Sequence, residues 1–400
     1  MTDRGQTILF TTFEPSGDAL AARTITTMLQ RRPDLHIYAL GGPKMAEAGA
    51  RVIETTTAHA SMFLETVAQA WSHHRRLCRL KKWLKSNKID ALVPVDSPAA
   101  NWSICGLVRR YQPRARIVHL VAPQLWAWAS WRIRRMRRLS DKALCLLPFE
   151  PVWFQQRDMP ATFVGHPVFD AAAQPTDAGA AARPALPDGS PRLAMLPGSR
   201  TGEVKKNWPT MLAAFDQLKD KHPELTGVVA SLDQRTEKII RSMLGKSQRP
   251  GGGRDDLTVV TGQTDAVLKW CDAALVKSGT VTLQVAARRV PMVTMYNMSY
   301  LFVQLLGRWL IFTRTFTLPN LVSEWAGLGR VVPELIPHFG EVTPVVREVD
   351  ALLGDTAAAR MQREGLSRIA DYFTDKHFAE DSAREILGML EEKAHRHEGT

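Results

Sequence analysis

Residues 193–204 read LAMLPGSRTGEV. An apolar run stops at Pro197-Gly198-Ser199-Arg200, and a helical pattern follows, so the stretch predicts a buried strand turning into a helix. Four further short apolar runs continue the series: GVVASL (227–232), LTVVT (257–261), AALVK (273–277) and PMVTMY (291–296). Upstream lies an alanine-, proline- and glycine-rich stretch, AAAQPTDAGAAARPALPDGSP, which reads as a linker. Before it stands a second series of the same kind: TILFTT (7–12), HIYAL (36–40), ALVPV (91–95), RIVHLV (116–121) and ALCLL (143–147), with helical patterns at 18–31 and 71–87. Fully apolar strands alternating with helices indicate parallel sheets covered on both faces. The expected architecture is α/β, with two Rossmann-like, doubly wound domains facing each other across a cleft. Their bounds are 1–170 and 191–350, joined by a linker over 171–190, with charged helices over 351–400.

Four hundred residues are too many for one hydrophobic core, and a 45% apolar composition excludes a disordered chain. Cys78, Cys105, Cys145 and Cys271 lie far apart, which argues against a disulfide scaffold or a structural zinc site and for a reducing compartment. The start, MTDRGQTILFTT, is too short and polar for a signal peptide. The chargeless stretch 290–307 contains Pro, Asn and Gln and is not read as a membrane span.

Several strand-to-helix turns carry chemistry. In FEPSGDALAA, Ser16-Gly17-Asp18 presents backbone N–H groups at a helix start; helix capping by Ser16 or Asp18 and ligand binding both fit. In VDSPAANW, Asp96 follows a strand at its carboxyl end, where α/β sheets bind ligands, and is placed to take a proton from a hydroxyl. Capping of the next helix by Asp96 or Ser97 is the commoner role for such a residue. Arg200 offers a bidentate grip on phosphate, and Glu203 closes a capping box. Ser278-Gly279-Thr280 forms another such turn, so two turns in one domain point to a nucleotide diphosphate. The absence of GxxxxGK[ST] and GxGxxG argues against an NTPase or a dehydrogenase. His166 reads either as a packing histidine or as a cleft residue. The apolar stretch 299–312 reads either as a buried helix or as an acyl contact, and Asn320 follows it.

Charge is unevenly placed. The chain carries a net +12, and residues 1–170 hold 24 basic against 13 acidic side chains, leaving the remainder nearly neutral. One cluster runs Arg75, Arg76, Arg79, Lys81, Lys82, Lys85, Lys88; the other is WRIRRMRR, with Arg132, Arg134, Arg135, Arg137 and Arg138. Trp83, Trp126 and Trp128 lie among them. Solvated helix faces would account for each cluster alone, whereas their concentration in one domain favours an anionic membrane surface. No nucleic-acid-binding signature accompanies them, so no nucleic-acid partner is expected.

The motifs xEPSGD, VDSP, APQLWAW, LLPFE, FVGHP, LPGSRxxEV, SGTVTLQ and LPNL, in that order over about residues 7–345, resemble the lipid-A-disaccharide synthase family of GT-B glycosyltransferases. The resemblance implies transfer from UDP-2,3-diacylglucosamine to 2,3-diacylglucosamine 1-phosphate, forming a β-1,6 linkage and releasing UDP, without metal or cofactor. It implies a peripheral protein on the inner face of the bacterial cytoplasmic membrane; a homo-oligomer is compatible. Carried over, Asp96 is the general base; Ser16, Gly17 and Asp18 line the cleft. Arg200, Glu203, Ser278, Gly279, Thr280 and Gln284 hold the UDP portion, with Asn320 assisting. Met62, Phe63, Trp126, Trp128, Arg132, Arg134 and Arg135 are the expected membrane or acceptor contacts.

Five positions depart from the family pattern: Phe13 and Met62 replace glycines, Ala122 a serine, Gln284 a glutamate and Pro337 a glutamine. Two alternatives follow: another GT-B UDP-sugar enzyme resembling UDP-N-acetylglucosamine 2-epimerase, or a catalytically silent lipid-binding paralogue.

Overall fold

The computed structural model describes residues 5–57, 66–127, 129–173, 186–245, 256–298 and 315–398. Contacts divide the chain into two units, Met1–Asp170 with Asp375–Thr400, and Ala171–Thr374. The 351–400 stretch, expected as one helical tail, is thus shared: a helix over Ala357–Asp371 belongs to unit 2, and the last helix, Phe378–Glu398, returns to unit 1.

Unit 1 is built on seven parallel strands: β1 (Thr7–Thr11), β2 (His36–Gly41), β3 (Arg51–Thr55), β4 (Ala91–Pro94), β5 (Arg116–Leu120), β6 (Lys142–Cys145) and β7 (Ala161–Phe163). Their spatial order is β3-β2-β1-β4-β5-β6-β7, so the winding reverses between β1 and β4. Helix α1 (Pro15–Arg31) buries Ala21, Ile25 and Met28 in a core shared with Phe378, Ile386 and Leu390 of the last helix. The opposite face of the sheet, through Leu9, Leu92 and Ile117, packs on Leu80 and Leu84 of α3 (Thr66–Ser86) and on Ile104, Cys105 and Val108 of α4 (Pro98–Tyr111). Between these elements lies α2 (Pro43–Glu47).

Unit 2 repeats the plan with six parallel strands: β8 (Arg192–Leu196), β9 (Thr226–Ser231), β10 (Leu257–Thr261), β11 (Ala273–Lys277), β12 (Met292–Asn297) and β13 (Glu334–His338), ordered β10-β9-β8-β11-β12-β13. The winding reverses between β8 and β11. The first crossover helix, Thr201–Lys221, aims Val204, Trp208, Met211, Phe215 and Leu218 at the sheet, a helical stripe of fully buried side chains. Each stabilises the unit by roughly 1.5–3 kcal/mol.

The predicted strands all form, within one or two residues. Three strands add to them, β3, β7 and β13, and each is an edge of its sheet. β3 and β13 carry charge, β13 also Pro337, and β7 is three residues long, so no apolar run announces them. All four cysteines are free thiols, with Cys105 and Cys145 buried in the cores. Among the described residues no helix is long and apolar enough to cross a membrane.

Candidate functional site

In each unit the reversal of winding separates the crossovers to left and right, and the crevice at the carboxyl ends of the two central strands is where doubly wound sheets bind ligands. In unit 1 the turns after β1 and β4 lie side by side, because Thr11 pairs with Pro94. Gly17 permits this. A Cβ there would stand 2.2 Å from the Thr12 hydroxyl and 3.5 Å from Val95, so no larger residue fits.

Asp96 sits at the end of β4, half-buried. It and Ser97 both adopt left-handed backbone conformations, φ 47° and 40°, each costing about 1–3 kcal/mol for a non-glycine residue. The elbow is clamped from beneath by the fully buried Asn101. Its amide donates to the carbonyls of Val95 (3.0 Å) and Asp96 (2.8 Å), and its carbonyl accepts from the Thr11 hydroxyl (2.7 Å). Ser97 is the N-cap of α4, and no side chain caps that helix. The capping alternative for Asp96 therefore falls. Burial pushes the Asp96 carboxyl above its ordinary value; the Ser97 amide opposes the rise and the Glu14 charge adds to it. Such a carboxylate is a stronger base than a solvated one.

The neighbouring turn divides its residues. Glu14, not Ser16, is the N-cap of α1, and Ser16 is exposed. Asp18 is only 2% exposed, and its two oxygens accept from the backbone amides of Gly42 (2.9 Å), Lys44 (3.0 Å) and Met45 (3.3 Å). It caps α2 and presents nothing to a ligand, contrary to the expectation. Phe13 packs edge-on against His73 at 6.0 Å and beneath the Arg76 guanidinium at 5.4 Å, tying this turn to α3.

In unit 2, Gly198 has φ 129° and a Cβ there would lie 2.8 Å from that of Glu203. Glu203 then folds back beneath the turn. One oxygen accepts from the amides of Ser199 (3.2 Å) and Arg200 (3.4 Å), the other from the Lys277 ammonium (2.9 Å). Burial raises the Glu203 carboxyl, but Lys277 and the two amides outweigh it and hold it below its usual range. Arg200 touches Glu203 only at 3.8 Å and its side chain is 68% exposed, so its guanidinium remains open to an anion. Ser278 and Gly279 are half-buried and Thr280 is exposed beside this turn; Gln284 is half-buried on the following helix, Val281–Ala287. Asn320 is fully buried and forms bonds to Val331, Val332 and Glu334, which replaces the expected assistance to a ligand by a structural role.

His166 is buried, accepts from the Val168 amide at 3.3 Å, and burial pushes it down to about 4; it is a neutral packing histidine. Trp126 is half-buried. Its N–H donates to the buried Glu150 at 2.9 Å, and its ring meets Phe149 edge-on. Glu150 also accepts from the Leu146 and Leu147 amides, yet burial pushes it up to about 7. Trp126 is therefore a strut of its loop and not the expected membrane contact. Among the described residues of the region the exposed indole is Trp131, at 71%, which nothing in WRIRRMRR sets apart from its neighbours. Arg132 and Arg135 both lie over the buried Trp102, at 4.5 and 5.3 Å, and Arg134 and Arg135 are both exposed. Met62, Phe63, Trp128 and the 299–312 stretch lie outside the described residues. Among the described residues, no group of three or more His, Cys, Asp or Glu side chains is placed to hold a metal ion.

A family model described as lipid-A-disaccharide synthetase matches residues 8–379. The chain is similar to the lipid-A-disaccharide synthase of Geobacter sulfurreducens, 31% identical over 389 residues and covering 96% of this chain and 97% of that one. It is similar to that of Burkholderia pseudomallei, 32% identical over 373 residues, with 92% and 90% covered. Among solved structures, UDP-GlcNAc 2-epimerase from Neisseria meningitidis bound to UDP-GlcNAc shares the fold, with a TM-score of 0.59, 12% identity, and 97% and 100% covered.

Proposed function

The chain belongs to the lipid-A-disaccharide synthase family, and from that premise we propose how its residues divide the work of the transfer. The enzyme is a glycosyltransferase that makes the lipid A disaccharide. Asp96 takes the proton of the acceptor 6-hydroxyl as that oxygen bonds to the anomeric carbon of UDP-2,3-diacylglucosamine. The bond from that carbon to the diphosphate breaks at the same time, and its electron pair leaves with UDP. The diphosphate gains a charge, which Arg200 and the amides of the Ser199 and Ser278–Thr280 turns meet in place of a metal. Attack from the face opposite the leaving group gives the β linkage. The observation that carries this reading is the clamped left-handed elbow that holds Asp96 at the winding reversal of unit 1.

The test is radiolabelled transfer to 2,3-diacylglucosamine 1-phosphate, run with EDTA. Disaccharide is expected in EDTA; turnover of UDP-GlcNAc lacking acyl chains, with none of the acylated donor, would favour an epimerase-like enzyme. Because Asp96 acts deprotonated and burial raises its carboxyl above the ordinary value, kcat/KM should be lost as pH falls through that raised pKa. Glu14→Gln removes a charge that helps raise it, and should move this acidic limb to lower pH.

The acylated acceptor lies in a bilayer, and unit 1 carries the basic excess. Trp131 with Arg134 and Arg138, all exposed, is proposed to rest on an anionic membrane. Replacing both arginines by Gln should weaken sedimentation with anionic vesicles roughly tenfold to thirtyfold at low salt, at about 1 kcal/mol per charge. Trp131→Ala should weaken it further, and binding unchanged in both variants would move the membrane contact elsewhere.

A further inference from the structure

We propose that Lys277 is a second cation of the diphosphate site, keeping its bond to Glu203 and offering its remaining N–H donors to the phosphate oxygens when the sugar donor binds. The inference rests on the reading of the unit 2 turns as the UDP site. Lys277 is the last residue of β11, at the winding reversal, and leads directly into Ser278-Gly279-Thr280. Its side chain is 14% exposed and Glu203's is 11%. The ammonium donates to Glu203 Oε1 at 2.9 Å and lies 4.8 Å from the centre of the Tyr296 ring. A Cβ on Gly279 would stand 3.6 Å from Nζ, so the charge sits against the turn whose amides face the anion.

The fold alone does not call for this pair. A buried ion pair adds little stability over apolar packing, and the other Glu203 oxygen already secures the Ser199 and Arg200 amides. Its placement has a consequence for an anion, however. Without Lys277, the Glu203 carboxylate would lie beneath an incoming diphosphate and repel it. With Lys277 that charge is cancelled, and Arg200 remains as net positive charge. An ammonium has three donors, and one points at Glu203. The oxygens of the diphosphate accept from the others, and the attraction grows as the anomeric bond breaks and the diphosphate gains one negative charge. A cation fixed in place before that moment stabilises the transition state more than the ground state.

The test uses the full chain, with UDP as probe in calorimetry and transfer kinetics as the second readout. Lys277→Met should weaken UDP binding about tenfold or more and lower kcat on the order of a hundredfold, the usual loss for one such donor. Lys277→Arg should restore most of both. Glu203→Gln and the double variant K277M/E203Q decide between contact and mere neutralisation, and the double buries no unpaired charge, so it also covers a failure of Lys277→Met to fold. If Lys277 touches the diphosphate, the double binds UDP more weakly than Glu203→Gln alone. Equal affinities of the double and of Glu203→Gln overturn the proposal while leaving the UDP site standing. A wild-type chain with no UDP affinity overturns both.

Discussion

Asp96→Asn is expected to lower kcat by about a thousandfold, within the usual contribution of a positioned general base, while UDP binds as tightly as before. The substitution is chosen for the elbow. Asparagine, like aspartate, tolerates a left-handed backbone, so φ 47° at position 96 survives and Asn101 keeps its bonds to the Val95 and Asp96 carbonyls. What disappears is the ability to accept a proton. The acidic limb of kcat/KM should vanish with it, because the group that titrates has gone. Asp96→Ala would confuse the result by adding backbone strain of about 1 kcal/mol or more. An Asp96→Asn enzyme with wild-type turnover would remove Asp96 from the mechanism, whatever its position in the sheet.

Asn101→Leu separates the elbow's backbone from its carboxylate, since it removes the clamp and leaves Asp96 itself in place. That residue stood within VDSPAANW without any mark of its role. Its bonds to Val95 and Asp96 are local, but its partner Thr11 stands ninety residues away, and only pairing of β1 with β4 brings it there. The same limit explains much of what the sequence did and did not reveal. Central strands such as β1, β4, β8 and β11 are covered on both faces and appear as unbroken apolar runs, hence readable. The turns that follow them carry Gly17 and Gly198 for reasons of close approach, which also left a local trace. The edge strands β3, β7 and β13, charged or very short, and the direction of burial left none. Asp18 and Asp96 both follow a strand and a turn, yet one carboxylate folds inward onto three amides and the other does not. Trp126 and Trp131 stand five residues apart beside the same arginines, and only folding shows which indole meets solvent.

Asn320 provides the sharpest test of that distinction between a motif residue and a ligand residue. LPNL places it where the family resemblance implies a part in nucleotide binding. In the structure it is 0% exposed, and its hydrogen-bonding capacity is filled. Its carbonyl accepts from Val331 (3.0 Å) and Val332 (2.9 Å); its amide donates to the Val332 carbonyl and to Glu334, both at 2.8 Å. It stitches the helix Leu318–Trp325 to the approach of edge strand β13. Asn320→Leu, similar in size, would leave two amides and a carbonyl without partners, at about 1–3 kcal/mol for each group that stays buried. A loss near 4 kcal/mol in all is expected, lowering the unfolding transition of unit 2 by roughly 10 °C. Asn320→Asp should lose a similar amount, because a carboxylate there would face the Val332 carbonyl and the Glu334 carboxylate. Well below that transition, both variants should bind UDP and turn over within a few-fold of wild type. The opposite pattern, an unchanged transition with lost UDP affinity, would mean that Asn320 turns outward to the nucleotide when it binds, and that these four bonds give way to do so.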